Sequence, residues 1–291
     1  MSVDATTAAG RIAAALERLA PERAPIDWHA CAAAEWRAGE PRPYFVAHAP
    51  RDAVTLDDLL GIDRQKRELE LNTRQFLAGL PANNALLWGS RGTGKSTLMQ
   101  ALLQRYEGAG LRVIEPDKRA LAHLPELADA LRDLPHRFVL FCDDLSFEAD
   151  DPAYKSLKSA LEGSTFSTVG NLLIYATSNR RHLLPEYMAD NDATRVQEGE
   201  LHHGEAVEEK ISLSDRFGLW LSFYAFRQDD YLQIARHWVA RLAARHDTQL
   251  PLGADGEREA LRWALARGGR SGRVANQFAR YWVGSRLLAG G

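Results

Sequence analysis

Gly89-Ser90-Arg91-Gly92-Thr93-Gly94-Lys95-Ser96 decides the reading of this chain. The run satisfies G-x-x-x-x-G-K-[ST]. It lies between an apolar stretch, Ala85 to Trp88, and a segment with Leu98, Leu102 and Leu103 at helical spacing. Strand, glycine turn and helix in that order make an anion cradle. Glycine lets the backbone wrap until its N–H groups point at phosphate oxygens, and the helix N-terminus adds a dipole that favours negative charge. In such a cradle Gly89, Ser90, Arg91, Gly92, Thr93, Gly94 and Thr97 surround phosphates. Lys95 reaches the β and γ phosphates, and the Ser96 hydroxyl ligates Mg2+. A glycine turn of no consequence would leave the flanking strand and helix unexplained.

Working outward, short apolar runs alternate with amphipathic stretches: Leu111 to Glu115, Phe138 to Cys142, Leu172 to Ala176 and Leu219 to Phe226. Strands covered on both faces by crossover helices read this way, so a parallel sheet built of βαβ units is expected. Arg137-Phe138-Val139-Leu140-Phe141-Cys142-Asp143-Asp144 ends in two acids, which a parallel sheet puts at its carboxyl edge, where ligands bind. Asp143 is then placed to hold Mg2+ and Asp144 to orient and deprotonate a water. Two acids capping a turn are the plainer alternative, weakened by the phosphate loop beside them.

After Phe226 no strand signal returns. Tyr231, Ile234, Ala235, Trp238 and Leu242 follow helical spacing, as do Val274, Phe278, Tyr281 and Trp282. Three regions are therefore expected: 1–51, a helical extension with a proline-rich linker; 52–227, an α/β nucleotide-binding domain; and 228–291, a helical subdomain. Within 188–209, seven acids face a single arginine without periodicity, the mark of a solvated insertion. A net charge of −3 excludes a nucleic-acid coat, though not a local basic groove. Cys31 and Cys142 make no disulfide framework or metal spacing, and no window carries eighteen uncharged apolar residues, so a cytoplasmic protein without membrane span is expected.

The order of phosphate loop, acidic strand end and a strand closing in Thr177-Ser178-Asn179 resembles the AAA+ ATPases. That resemblance implies a P-loop NTPase parallel sheet with flanking helices, followed by a small all-helical lid, and ATP with Mg2+ as ligands. It makes Asn179 the sensor 1 residue that contacts the γ phosphate and the attacking water. Leu213-Ser214-Asp215-Arg216-Phe217 is similar to the arginine-finger segment, and Gly272-Arg273 to sensor 2. Leu56-Asp57-Asp58-Leu59-Leu60-Gly61-Ile62 is similar to the stretch around the adenine, with Gly61 and Ile62 as contacts. An arginine finger implies a homo-oligomer in which Arg216 acts on the neighbouring subunit. The likeness covers about residues 52 to 285. More closely, Phe141 to Glu148 and Ser178 to Glu186 are similar to an uncharacterised bacterial AAA+ family, domain of unknown function 815, which names no substrate.

Two departures matter. The acidic pair is Asp-Asp where many AAA+ members have Asp-Glu, so Asp144 is shorter by a methylene and Glu148 is a second candidate for the water. Val113 to Pro125 lacks the aromatic pore loop of protein-threading members, which disfavours an unfoldase. His202 and His203 lack the spacing of a metal pair on one helix face, Lys155 and Lys158 read as the wet side of an amphipathic helix, and Arg180, Arg181 and His182 are as suited to the acidic insertion as to a polyanion. Trp220, Trp238, Trp263 and Trp282 stand at core spacings. The leading function is an AAA+ ATPase that hydrolyses Mg-ATP to remodel or load a macromolecular partner, protein or nucleic acid. An ATP-dependent switch or scaffold with weak hydrolysis is the alternative. A P-loop kinase would need neither the Asn179 strand nor the helical lid.

Overall fold

The computed structural model describes residues 10–12, 15, 25–39, 42–48, 54–145, 152–162, 170–179 and 213–290. Glu148, the basic cluster at 180–182, the adjacent histidines and the acidic insertion at 188–209 lie outside them. Seven strands form one sheet: β1 (Ala33–Arg37), β2 (Tyr44–Ala47), β3 (Ala85–Gly89), β4 (Leu111–Pro116), β5 (Arg137–Cys142), β6 (Leu172–Ser178) and β7 (Leu219–Phe223). Their order is β2-β1-β4-β5-β6-β3-β7, and every pairing is parallel except the β1–β2 hairpin at one edge.

All five expected strands are present, the last ending at Phe223 instead of Phe226. Their continuous apolar reading follows from two-sided burial. Val139 and Phe141 enter the core on one face of the sheet, with Leu98 and Leu102, while Phe138 and Leu140 enter the core on the other, with Leu127 and Leu157. Between the strands run α1 (Asp63–Leu77), α2 (Lys95–Tyr106), α3 (Leu124–Leu131) and α4 (Pro152–Leu161). The sheet is not wholly parallel, however, and it starts earlier than expected. Within 1–51, read as extension and linker, β1 and β2 add an antiparallel edge: Ala34 and Trp36 are buried while Arg37 points to water. Proline at 43 fits this placement, since an edge strand tolerates a missing N–H just outside its ladder.

The lid follows as α5 (Gln228–Ala244), α6 (Ala254–Ala266) and α7 (Gly272–Gly290). Its apolar faces are continuous with one of the two sheet cores through Tyr231, Ile234, Ala235 and Phe278, each of which buries about 1.5–3 kcal/mol worth of side chain if large. A polar tether fixes its angle. Asp58, only 5% exposed, accepts hydrogen bonds from the Thr55 backbone N–H at 2.7 Å, the Thr55 hydroxyl at 2.8 Å and Nε2 of His237 at 2.9 Å. Arg241 of the same lid helix pairs with Oδ2, the oxygen that accepts from Thr55, while His237 holds Oδ1. Burial lowers the pKa of His237, so the imidazole joins the tether as a neutral donor. Among the described residues no helix is long and apolar enough to cross a membrane.

Candidate nucleotide cleft

β3 runs straight into the phosphate loop, and the loop is tied on both sides. The Ser90 N–H donates to the Phe223 carbonyl of β7 at 2.8 Å, and Gly89 sits at φ +124°, where an added Cβ would stand 2.0 Å from that same oxygen. Only glycine lets the two backbones meet there. On the lid side the Arg273 N–H donates to the Gly92 carbonyl at 3.1 Å, and a Cβ on Gly92, at φ +72°, would lie 2.8 Å from the Ser271 hydroxyl. Loop and lid therefore touch through backbone that has no room for side chains.

Lys95, the first residue of α2, folds back into the loop. Its Nζ donates to the carbonyls of Gly89 and Ser90 at 2.8 Å each, and to Oδ1 of Asn179 at 3.3 Å. Burial lowers its pKa, against the upward pull of Asp144 and Asp143; Arg273 and Arg91 add to the lowering. The site is thus a desolvated cation with carbonyl dipoles as its first partners, to which a polyphosphate would add the missing negative charge.

The acids at the end of β5 join the same network. The Ser96 hydroxyl donates to Oδ1 of Asp143 at 2.6 Å, and the Thr177 hydroxyl donates to the same atom at 2.6 Å. Thr177 accepts in turn from the Asp144 N–H at 2.8 Å, and Nδ2 of Asn179 donates to Oδ1 of Asp144. Asn179 therefore uses both ends of its amide, accepting from Lys95 and donating to Asp144. Asp144 has φ +51°. Aspartate tolerates that left-handed conformation far better than most residues, which gives a physical reason for the shorter acid here. Cys142, two residues earlier, is fully enclosed, and burial pushes its thiol up to about 12, so it is an inert core residue.

These groups open onto a cleft of about 760 Å³ between sheet edge and lid. Arg91, Gly92, Thr93, Gly94, Lys95, Ser96, Thr97, Asp143, Asp144, Asn179 and Arg273 all line it. Gly61 and Ile62 stand one layer behind: Gly61, at φ +75°, packs on the Phe226 ring and Ile62 is buried. The wall itself is Leu59, Leu60, Phe226, Ile234, Trp238 and Leu242, with Arg245 and Arg280 as further cations. Trp238, read as core, is part of that wall. Its helical spacing could not separate core from cleft, because both are apolar. Arg216 does not line the cleft; its guanidinium pairs with Glu162, just past α4.

Residues 29–286 match a family model described as "Protein of unknown function (DUF815)". The chain belongs to that family. Its fold is that of the AAA+ ATPases, as the likeness to one solved structure above all shows. ORC1 from Aeropyrum pernix, solved in complex with DNA, is similar at a TM-score of 0.52 with 17% identity, over 79% of this chain and 61% of that one. The RuvB Holliday junction branch migration motor from Thermotoga maritima aligns at a TM-score of 0.49 with 18% identity, over 78% of this chain. This DUF815 chain spans only 63% of the RuvB length. A search of curated proteins returned no significant match.

Proposed function

We propose that this DUF815 chain binds Mg-ATP in the cleft and hydrolyses it, and that it does so as a homo-oligomer acting on a macromolecular partner. The observation that carries the reading is the unbroken hydrogen-bond path Ser96–Asp143–Thr177–Asp144–Asn179–Lys95, which joins the phosphate loop to both acids across three strands. The Ser96 hydroxyl and the Asp143 carboxylate are adjacent hard oxygen donors, a fit for Mg2+ completed by phosphate and water. Bound there, Mg2+ would neutralise charge on the β and γ phosphates. Among the described residues no His, Cys, Asp and Glu cluster of three or more is placed for a metal, consistent with a cation that arrives with its nucleotide.

In this reading Lys95 leaves its carbonyl partners for the β and γ phosphates, and Leu59, Leu60 and Trp238 hold the base. Asp144 accepts the proton of the attacking water while Asn179 keeps the carboxylate oriented. Arg273 meets a phosphate of the same chain from the lid. Arg216 exchanges Glu162 for the γ phosphate of the next subunit, where it stabilises transition-state charge. The weak-hydrolysis switch is the second reading, favoured by the one-methylene shortening at Asp144. Nucleotide titration tests the common part of both: Lys95→Ala should lose about a hundredfold or more in ATP affinity, since it removes the main charge on the phosphates. Unchanged affinity would refute the cleft as the nucleotide site.

A further inference from the structure

The chain as a whole is negative, yet residues 260–291 hold six arginines, Arg262, Arg267, Arg270, Arg273, Arg280 and Arg286, and no lysine, aspartate or glutamate. All six are exposed. Elsewhere in the lid three of four arginines have carboxylates, Arg236 on Glu257, Arg241 on Asp58 and Arg258 on Asp255, and the fourth, Arg245, lines the cleft. Among the described residues, none of the six has a carboxylate. Half of them crowd into the turn Arg267-Gly268-Gly269-Arg270-Ser271-Gly272-Arg273 between α6 and α7. Gly268 and Gly269 there take φ of +78° and +154°, and a Cβ on either would meet nothing within 4 Å, so the first half of the turn stands in solvent.

Flat rings lie beside this charge. The Arg267 guanidinium is 3.5 Å from the centroid of the Trp263 ring, and Trp263 stacks on Tyr281 at 4.8 Å and 26°. Tyr281 is 50% exposed. Like charges gathered without counterions repel one another, and a polyanion relieves that repulsion. An acidic peptide would meet the charges and leave the aromatic face unused. A single nucleic-acid strand uses both, because it alternates phosphates with bases that stack on rings and guanidinium planes. We propose that this end of the lid binds single-stranded nucleic acid, with phosphates on Arg262, Arg267 and Arg270 and a base against Tyr281. The proposal names a partner class for the ATPase reading, but its contacts Arg262, Arg267, Arg270 and Tyr281 are not among the residues lining the cleft, unlike Arg273 and Arg280. Ser271 and Arg273 of the same turn touch Gly92, which gives a bound strand a mechanical link to the phosphate loop.

The full chain is titrated, first without nucleotide so that the result is independent of hydrolysis, against fluorescein-labelled oligothymidylate and oligouridylate of about twenty nucleotides. Affinity should fall with salt, and by roughly 0.7 in log–log slope per phosphate engaged. The triple variant Arg262→Gln/Arg267→Gln/Arg270→Gln should bind at least about tenfold more weakly, with a slope flatter by about 2. Tyr281→Leu should weaken binding several-fold at an unchanged slope, and Tyr281→Phe should restore it, because stacking releases no counterions. Circular dichroism confirms that each variant is folded. The proposal is overturned by absence of binding at about 50 mM salt, or by an unchanged slope in the triple variant. It is equally overturned if polyglutamate binds as tightly as the oligonucleotides, which would make the partner an acidic protein segment. A change in molecular mass as the triple variant's only defect would make the face a contact between copies.

Discussion

The phosphate loop with its neighbouring tethers and the outer end of the lid treat positive charge in opposite ways. Lys95 is held by two carbonyls and Asn179, Arg241 by Asp58 beside the neutral His237, and Arg216, outside the cleft, by Glu162, while Arg91, Arg245, Arg273 and Arg280 line the cleft with no carboxylate partner among the described residues. At the α6–α7 end Arg267 stands on the Trp263 ring, and Arg262 and Arg270 are exposed with no carboxylate partner among the described residues. Held charges belong to a machine whose geometry is set before the ligand arrives, which is what electrostatic catalysis requires. Unheld charges wait for a counterion from outside. The two regions should therefore answer mutation differently, the first in turnover or folding and the second in neither.

The largest effect is expected at Arg216, whose present partner is on its own chain. Arg216→Ala should bind ATP normally and lose roughly a thousandfold in turnover if the guanidinium serves the neighbouring subunit. Mixing it with Asp144→Asn separates the roles, because one variant keeps the acid and the other keeps the finger. In a freely exchanging head-to-tail assembly about a quarter of wild-type activity should return. A mixture as inactive as its components, after confirmed exchange, would make the Glu162 pair the whole function of Arg216.

Asp58 tests the tether rather than the chemistry. Asp58→Ala leaves Arg241 and His237 facing a buried, empty carboxylate position, and should cost about 2 kcal/mol in denaturant unfolding; the partial exposure of Arg241 keeps the loss below that of a fully buried pair. No loss of stability would mean that the lid docks through its apolar face alone. The smallest effect sharpens the contrast: Arg262→Gln/Arg267→Gln/Arg270→Gln should change stability by no more than about 0.5 kcal/mol, because the changes are at the surface and no carboxylate is orphaned. A larger loss in the same denaturation experiment would show that these arginines hold the fold.

How far the sequence could be read follows from how local each signal is. The five strands from β3 to β7 were legible because burial between helices writes an apolar run, as in Phe138 to Cys142. The hairpin at 33–47 was not: Ala34 and Trp36 alternate with Glu35 and Arg37 over too few residues to stand out among prolines. Loop and acids were legible from residue type and spacing. Leu59 and Leu60 lay in the stretch likened to the one around the adenine, whereas Trp238 was hidden, because apolar spacing on a helix looks the same whether it faces a core or a cleft. Arg216 on Glu162 and Asn179 on Asp144 join residues 54 and 35 positions apart, and only the folded chain displays such pairs.

Phosphate release measured beside ATP affinity, for the wild type and Asp144→Asn, addresses the central claim most directly. The wild type should turn over, and the variant should bind Mg-ATP nearly as well, because Asp143 and Ser96 remain, while releasing phosphate roughly a hundredfold more slowly for want of a proton acceptor. Equal phosphate release by the two proteins would contradict the assignment of Asp144, and a wild type that binds ATP without releasing phosphate would contradict the ATPase itself.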